Sequence, residues 1–186
     1  MKKVAIFASG TGTNFENILR QDDLNIDTKL FVCDNKKALS INIAKKNNIN
    51  SFIFSPKDYK NRLEYEREII RELEKNNIEY IILAGYMRIL TCEFIEKYKG
   101  KIINIHPSLL PNYKGAHAIE DAYNDNKNIF GVTVHYVDEE VDSGEIILQE
   151  RLDNTEGKTL KEITVKIHEI EYILYPKALK LVLQGD

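Results

Sequence analysis

The chain has no tryptophan, only two cysteines and four prolines in 186 residues, and no apolar run near the length of a membrane span. Cys33 and Cys92 stand far apart, with no CxxC and no Cys/His ligand spacing. That excludes a disulfide framework, argues against a structural zinc site, and fits a reducing cytoplasm. An excess of positive charge is also missing. The net charge is −3 and the pI is near 5.9, so no basic field favours nucleic acid or an anionic membrane. The opening MKKVAIFASGTG begins as a signal peptide does. Its apolar stretch, Val4 to Ala8, is too short for a signal core, and glycines interrupt it. Repeats, low-complexity tracts and linkers are absent. The expectation is one cytoplasmic domain over residues 1–186, its N-terminal half carrying a phosphate site and its C-terminal half the chemistry.

What is present is an alternation. VAIFA (4–8), KLFVC (29–33), FIF (52–54), YIILA (80–84) and IINIH (102–106) read as strands. Their near-continuous apolar character suits a sheet covered on both faces. Between them lie helical patterns at 14–20, 39–46 and 59–76, the last with a stripe of Tyr65, Ile69, Ile70 and Leu73. Alternating βα units predict a doubly wound, mostly parallel α/β sheet with helices on both faces. GVTVHYV (131–137) and EIILQERL (145–152) predict an antiparallel edge. The T-x-x-E pair Thr159 and Glu162 opens a long C-terminal helix, which Pro176 is expected to kink or break.

Chemistry gathers at three places. SGTGTN (9–14) ends the first strand and opens a helix, so it reads as a phosphate cradle or as a merely structural tight turn. It lacks the lysine of a P-loop. A dinucleotide site, with Asp34 as the ribose acid, would want glycine where the chain has Phe15. The second place is INIHPSLLP (103–111). Asn104 and His106 share one strand face, and Pro107 ends the strand just beyond them. The third is Asp142, in EEVDSGE before the Ser143-Gly144 turn. Amide, imidazole and carboxylate together can stabilise an oxyanion and move a proton. No G-x-S-x-G elbow or Cys–His pair supplies a nucleophile. The residues therefore predict direct attack of one substrate on a carbonyl of another.

The strings SGTGTNFENIL, LAGYMRIL, NIHPSLLPNYKGAHAIEDAY, GVTVHYVDEEVDSGEIILQ and IHEIEYILYP run in that order over nearly the whole chain. Together they resemble the phosphoribosylglycinamide formyltransferases, the folate-dependent, Rossmann-like formyltransferases of purine (IMP) biosynthesis. The resemblance implies that the amine of glycinamide ribonucleotide attacks the formyl carbon of the co-substrate 10-formyltetrahydrofolate. It implies Asn104, His106 and Asp142 as the catalytic trio. It places the ribonucleotide on Gly12, Thr13 and Asn14 and on His168, Glu169, Ile170 and Glu171. The folate falls to Arg62, Met87, Arg88, Ile89, Leu90, Asn104 and the loop of Asp138, Glu139, Glu140, Val141 and Asp142. Two small-molecule substrates, no metal, no nucleic acid, no membrane, and a monomer or weak homodimer complete the expectation. Many relatives carry a second histidine where this chain has Ile119, so His117 stays outside the catalytic set. His135, on the presumed edge strand, reads as a surface or packing residue.

Three other readings compete. A formyltetrahydrofolate hydrolase would use the same trio with water, and usually carries an extra N-terminal domain. A methionyl-tRNA formyltransferase would need an added C-terminal domain and a basic surface. A nucleotide- or NAD-binding module rests on Asp34 and the glycines alone. Because it starts at its first strand, ends with its last helix and is acidic overall, the chain is expected to be neither of the first two.

Overall fold

A computed structural model describes residues 1–126 and 128–185. The described residues form two compact units, Met1–Ile103 and Asn104–Asp186. In the first, β1 (Lys2–Phe7), β2 (Ile26–Cys33), β3 (Asn50–Ile53) and β4 (Tyr80–Leu83) alternate with α1 (Thr13–Leu19), α2 (Ser40–Lys46), α3 (Arg62–Lys75) and α4 (Cys92–Lys97). β1 pairs in parallel with both β2 and β4, and β2 with β3. Val4, Ala5, Ile6 and Phe7 are all fully buried, as a strand covered on both faces requires. Phe15 does not obstruct its neighbourhood; it stacks on Phe31 with ring centroids 4.9 Å apart. α3 starts at Arg62, later than the expected 59–76 span, because Asn61 caps it, accepting from the Glu64 N–H at 3.1 Å.

β5 (Ile102–His106) lies at the junction of the two units. The second unit continues with α5 (Ala118–Asn124), β6 (Phe130–Tyr136), β7 (Ile146–Leu152) and α6 (Leu160–Gln184). In the first unit the strand order is β3-β2-β1-β4; in the second it runs β5-β6-β7, with β6 and β7 antiparallel. β6 is therefore interior and β7 is the edge, which corrects the placing of His135 on an edge strand. The return from β6 to β7 needs glycine at 144, where a Cβ would sit 1.8 Å from the Tyr136 carbonyl oxygen.

Thr159 and Glu162 form the expected capping box at the start of α6. Pro176 does not end the helix, which runs on to Gln184. An interior proline costs about 3 kcal/mol. Leu174, Tyr175, Ala178 and Leu179 around it are all buried, and each large apolar side chain so placed contributes about 1.5–3 kcal/mol. Packing outweighs the lost ladder bond. Among the described residues no helix is long and apolar enough to cross a membrane.

The segment after β5 is tied down by one buried hydroxyl. Thr133 Oγ1 donates to the Ser108 carbonyl at 2.6 Å and accepts from the Leu110 N–H at 3.1 Å and the Gln149 amide at 2.8 Å. Thr133→Val keeps the shape and deletes the acceptor, leaving the buried Leu110 N–H without it. The expected cost is about 1–3 kcal/mol, read as a lower urea midpoint at unchanged slope; an unchanged midpoint would remove Thr133 from the loop's support.

Candidate active site

Within the second unit, β5 directs Asn104 and His106 to one side, and the β6–β7 loop brings Asp142 to them. That loop holds itself in shape: Asp138 Oδ1 accepts from the Glu140 N–H at 3.2 Å and from the Ser143 hydroxyl at 2.6 Å. Asp142 sits at φ 50°, a left-handed conformation that aspartate tolerates better than most residues. Its Oδ2 accepts from the Gly115 N–H at 2.8 Å and lies 3.4 Å from His106 Nδ1. Its Oδ1 lies 3.7 Å from His135 Nε2. His106 Nε2 donates to the Tyr113 carbonyl at 2.8 Å. Both ring nitrogens of His106 thus face oxygen acceptors, and only 6% of its side chain is exposed, against 12% for Asp142.

His135 is also part of this cluster. It is buried, its Nδ1 is 2.8 Å from the Tyr136 carbonyl oxygen, and its Nε2 is 3.1 Å from Asn104 Nδ2. Burial pushes its pKa below the ordinary value, against the upward pull of the Tyr136 carbonyl and Asp142. The surface reading of this residue is corrected. His117 is exposed, at the N-cap of α5.

Elsewhere in the second unit, His168 Nδ1 contacts Glu171 Oε2 at 2.9 Å. That hydrogen bond raises the His168 pKa, and the carboxylate itself is buried. Glu169 pairs with Lys166, and Ile170 is half-buried. Asp138, Glu139, Glu140 and Val141 are exposed.

In the first unit, Gly12 is the N-cap of α1 at φ 80°, and a Cβ there would meet the Ser40 Cβ at 2.7 Å. Thr13 is exposed and Asn14 half-buried. Met87 and Ile89 expose 61% and 56% of their surface, whereas Leu90 is buried. Their backbone is fixed from below: the Met87 N–H donates to Ser9 Oγ at 2.9 Å, and the buried Glu66 accepts from the Thr91 N–H and hydroxyl. Arg88 Nε donates to Asp34 at 2.6 Å, and that carboxylate side chain is only 2% exposed. A ribose-binding role for Asp34 would have to displace this ion pair. Arg62 is exposed at the first position of α3.

Residues 2–179 match the family model described as formyl transferase. The chain belongs to the formyl transferase family. A phosphoribosylglycinamide formyltransferase of Bacillus subtilis (strain 168) is 44% identical over 186 residues, 98% of this chain and 95% of the relative. A crystal structure of glycinamide ribonucleotide transformylase 1 from Geobacillus kaustophilus superimposes with a TM-score of 0.95 at 44% identity, covering 98% of this chain and 99% of the other. A phosphoribosylglycinamide formyltransferase structure from Bacillus halodurans gives 0.94 at 42% identity, over 98% and 95% of the two chains.

In this formyltransferase, sequence reasoning set His135 aside as a surface or packing residue and did not single out Gly115 or Tyr113, whose backbone groups meet Asp142 and His106. His135 had a usable signal. Thr133 and His135 alternate on one face of β6, just as Asn104 and His106 do on β5. The Gly115 N–H and the Tyr113 carbonyl had none, because backbone groups are invisible in side-chain identity.

Proposed function

We propose that this formyltransferase carries out its chemistry at Asn104, His106 and Asp142, moving the formyl group of 10-formyltetrahydrofolate to the amine of glycinamide ribonucleotide in purine biosynthesis. The observation that carries the reading is the juxtaposition of His106 Nδ1 and Asp142 Oδ2 at 3.4 Å, with the Asn104 amide in the same hydrogen-bonded cluster. The amine nitrogen bonds to the formyl carbon, and the carbonyl electrons move to oxygen. Asn104 and His106 donate to that oxyanion; one such donor is worth about 10²–10³ in rate. His106 Nε2–H already addresses an oxygen, the Tyr113 carbonyl, with which the oxyanion would compete. Asp142 helps carry the amine proton to the folate nitrogen as the carbon–nitrogen bond to folate breaks.

Gly12, Thr13 and Asn14 would hold the ribonucleotide phosphate, an assignment supported by the backbone N–H groups at the start of α1. His168, Glu169, Ile170 and Glu171 would contact the same substrate, with Glu171 fixed by His168. Met87, Arg88, Ile89 and Leu90 would receive the flat pterin; the exposed Met87 and Ile89 side chains support this. Arg62 would meet the folate's carboxylate tail, and Asp138, Glu139, Glu140 and Val141 would border the cofactor. Two free thiols fit a cytoplasmic enzyme.

The test follows the absorbance of a 10-formyl-folate with and without glycinamide ribonucleotide. Loss of the formyl group only when ribonucleotide is present is the expected result. Loss without it would make water the acceptor and the protein a hydrolase, and no loss in either case would overturn formyl transfer.

A further inference from the structure

His135 Nδ1 lies 2.8 Å from the Tyr136 carbonyl oxygen. A carbonyl only accepts, so Nδ1 carries a hydrogen. Nε2 then holds either a lone pair or a second hydrogen, and its neighbour decides what it can bond. The titratable groups acting on the ring are His106 from β5 and Asp142 and Asp138 from the β6–β7 loop. The two carboxylates favour a second proton; His106 and, above all, burial oppose it. Burial wins, so Nε2 is an acceptor. The atom 3.1 Å away on Asn104 is therefore the amide nitrogen, one of whose hydrogens is committed to His135.

We propose that His135 is a positioning residue for the reaction: its neutral ring, protonated on Nδ1, accepts one Asn104 N–H and locks that amide in the orientation whose second N–H faces the formyl oxygen. An amide has two nearly isosteric orientations, and only one places a donor where the oxyanion develops. A second proton on His135 would set N–H against N–H. The Asn104 amide would then turn over, give its oxygen to His135, and withdraw the donor from the reacting carbonyl. The lock fails as pH falls through the His135 pKa, which lies below the ordinary value of 6.5. This inference rests on the formyl-transfer reading.

The full chain is assayed with both substrates as wild type, His135→Leu and His135→Gln. Leucine removes the acceptor, whereas glutamine can set its amide oxygen near the place of Nε2. His135→Leu is expected to lower kcat by about 10²-fold, the cost of a misdirected oxyanion donor, with both KM values unchanged. His135→Gln should recover most of that loss. The ratio of its kcat to the wild-type kcat should rise as the pH is lowered, because glutamine does not titrate. A His135→Leu enzyme with wild-type kcat, or equal losses in both variants with a flat pH ratio, would overturn the lock. Failure of the wild type to transfer formyl would overturn the function instead. Nitrogen-15 shifts of His135 in the wild type then still decide the lock, since a hydrogen on Nε2 at neutral pH overturns it.

Discussion

Asp142→Asn is expected to lower kcat by about 10²–10⁴-fold, the usual worth of a positioned proton carrier, while 10-formyl-folate still binds with nearly the wild-type Kd. Asparagine is close to the same size, and it tolerates the left-handed backbone at this position, φ 50°. Its remaining oxygen can still accept from the Gly115 N–H, which Asp142 holds at 2.8 Å. What is lost is the negative charge 3.4 Å from His106 Nδ1 and the ability to receive a proton. Single-turnover kinetics beside a folate titration separates the two quantities. A large loss of folate affinity with the chemical step intact would make Asp142 a binding residue and remove it from proton transfer.

The part of this site visible in the sequence was the part built from short-range rules. Asn104 and His106 share a face because strands alternate, and Pro107 marks where β5 must stop. Asp142 is betrayed by the Ser143-Gly144 turn that follows it. β1 and β4 announced themselves because their buried residues are apolar on both faces, whereas β3, with Asn50 and Ser51 exposed, showed only its apolar end. α4 and α5, of 6 and 7 residues, were not read from the sequence, each offering no more than two turns of period. Long-range pairing is a different matter. Arg88 and Asp34 are 54 residues apart, and Asn104 and His135 are 31 apart. No local pattern links such positions. Pro176 fails to break its helix for a related reason: the rule that proline ends helices is local, and the buried side chains around it that override the rule are not.

His106→Ala is expected to abolish measurable transfer while the protein stays folded. The ring is buried between two acceptors, Asp142 Oδ2 and the Tyr113 carbonyl. Removing it costs about 1–3 kcal/mol of stability through the lost hydrogen bond and the void, within reach of a domain whose total is about 5–15 kcal/mol. The rate loss is expected to be far larger. Alanine deletes a donor to the oxyanion, worth about 10²–10³, and also removes the partner that faces Asp142. Circular dichroism and a urea titration establish the fold; formyl release in the presence of ribonucleotide reads the rate. Turnover near the wild-type level would sink the mechanism. The double variant His106→Ala, Asp142→Asn sharpens the result. If the ring and the carboxylate act as one unit, the pair loses little more than the worse single variant, as interdependent catalytic groups do. Losses that multiply would mean that each residue works alone, and that their 3.4 Å contact is incidental to the chemistry.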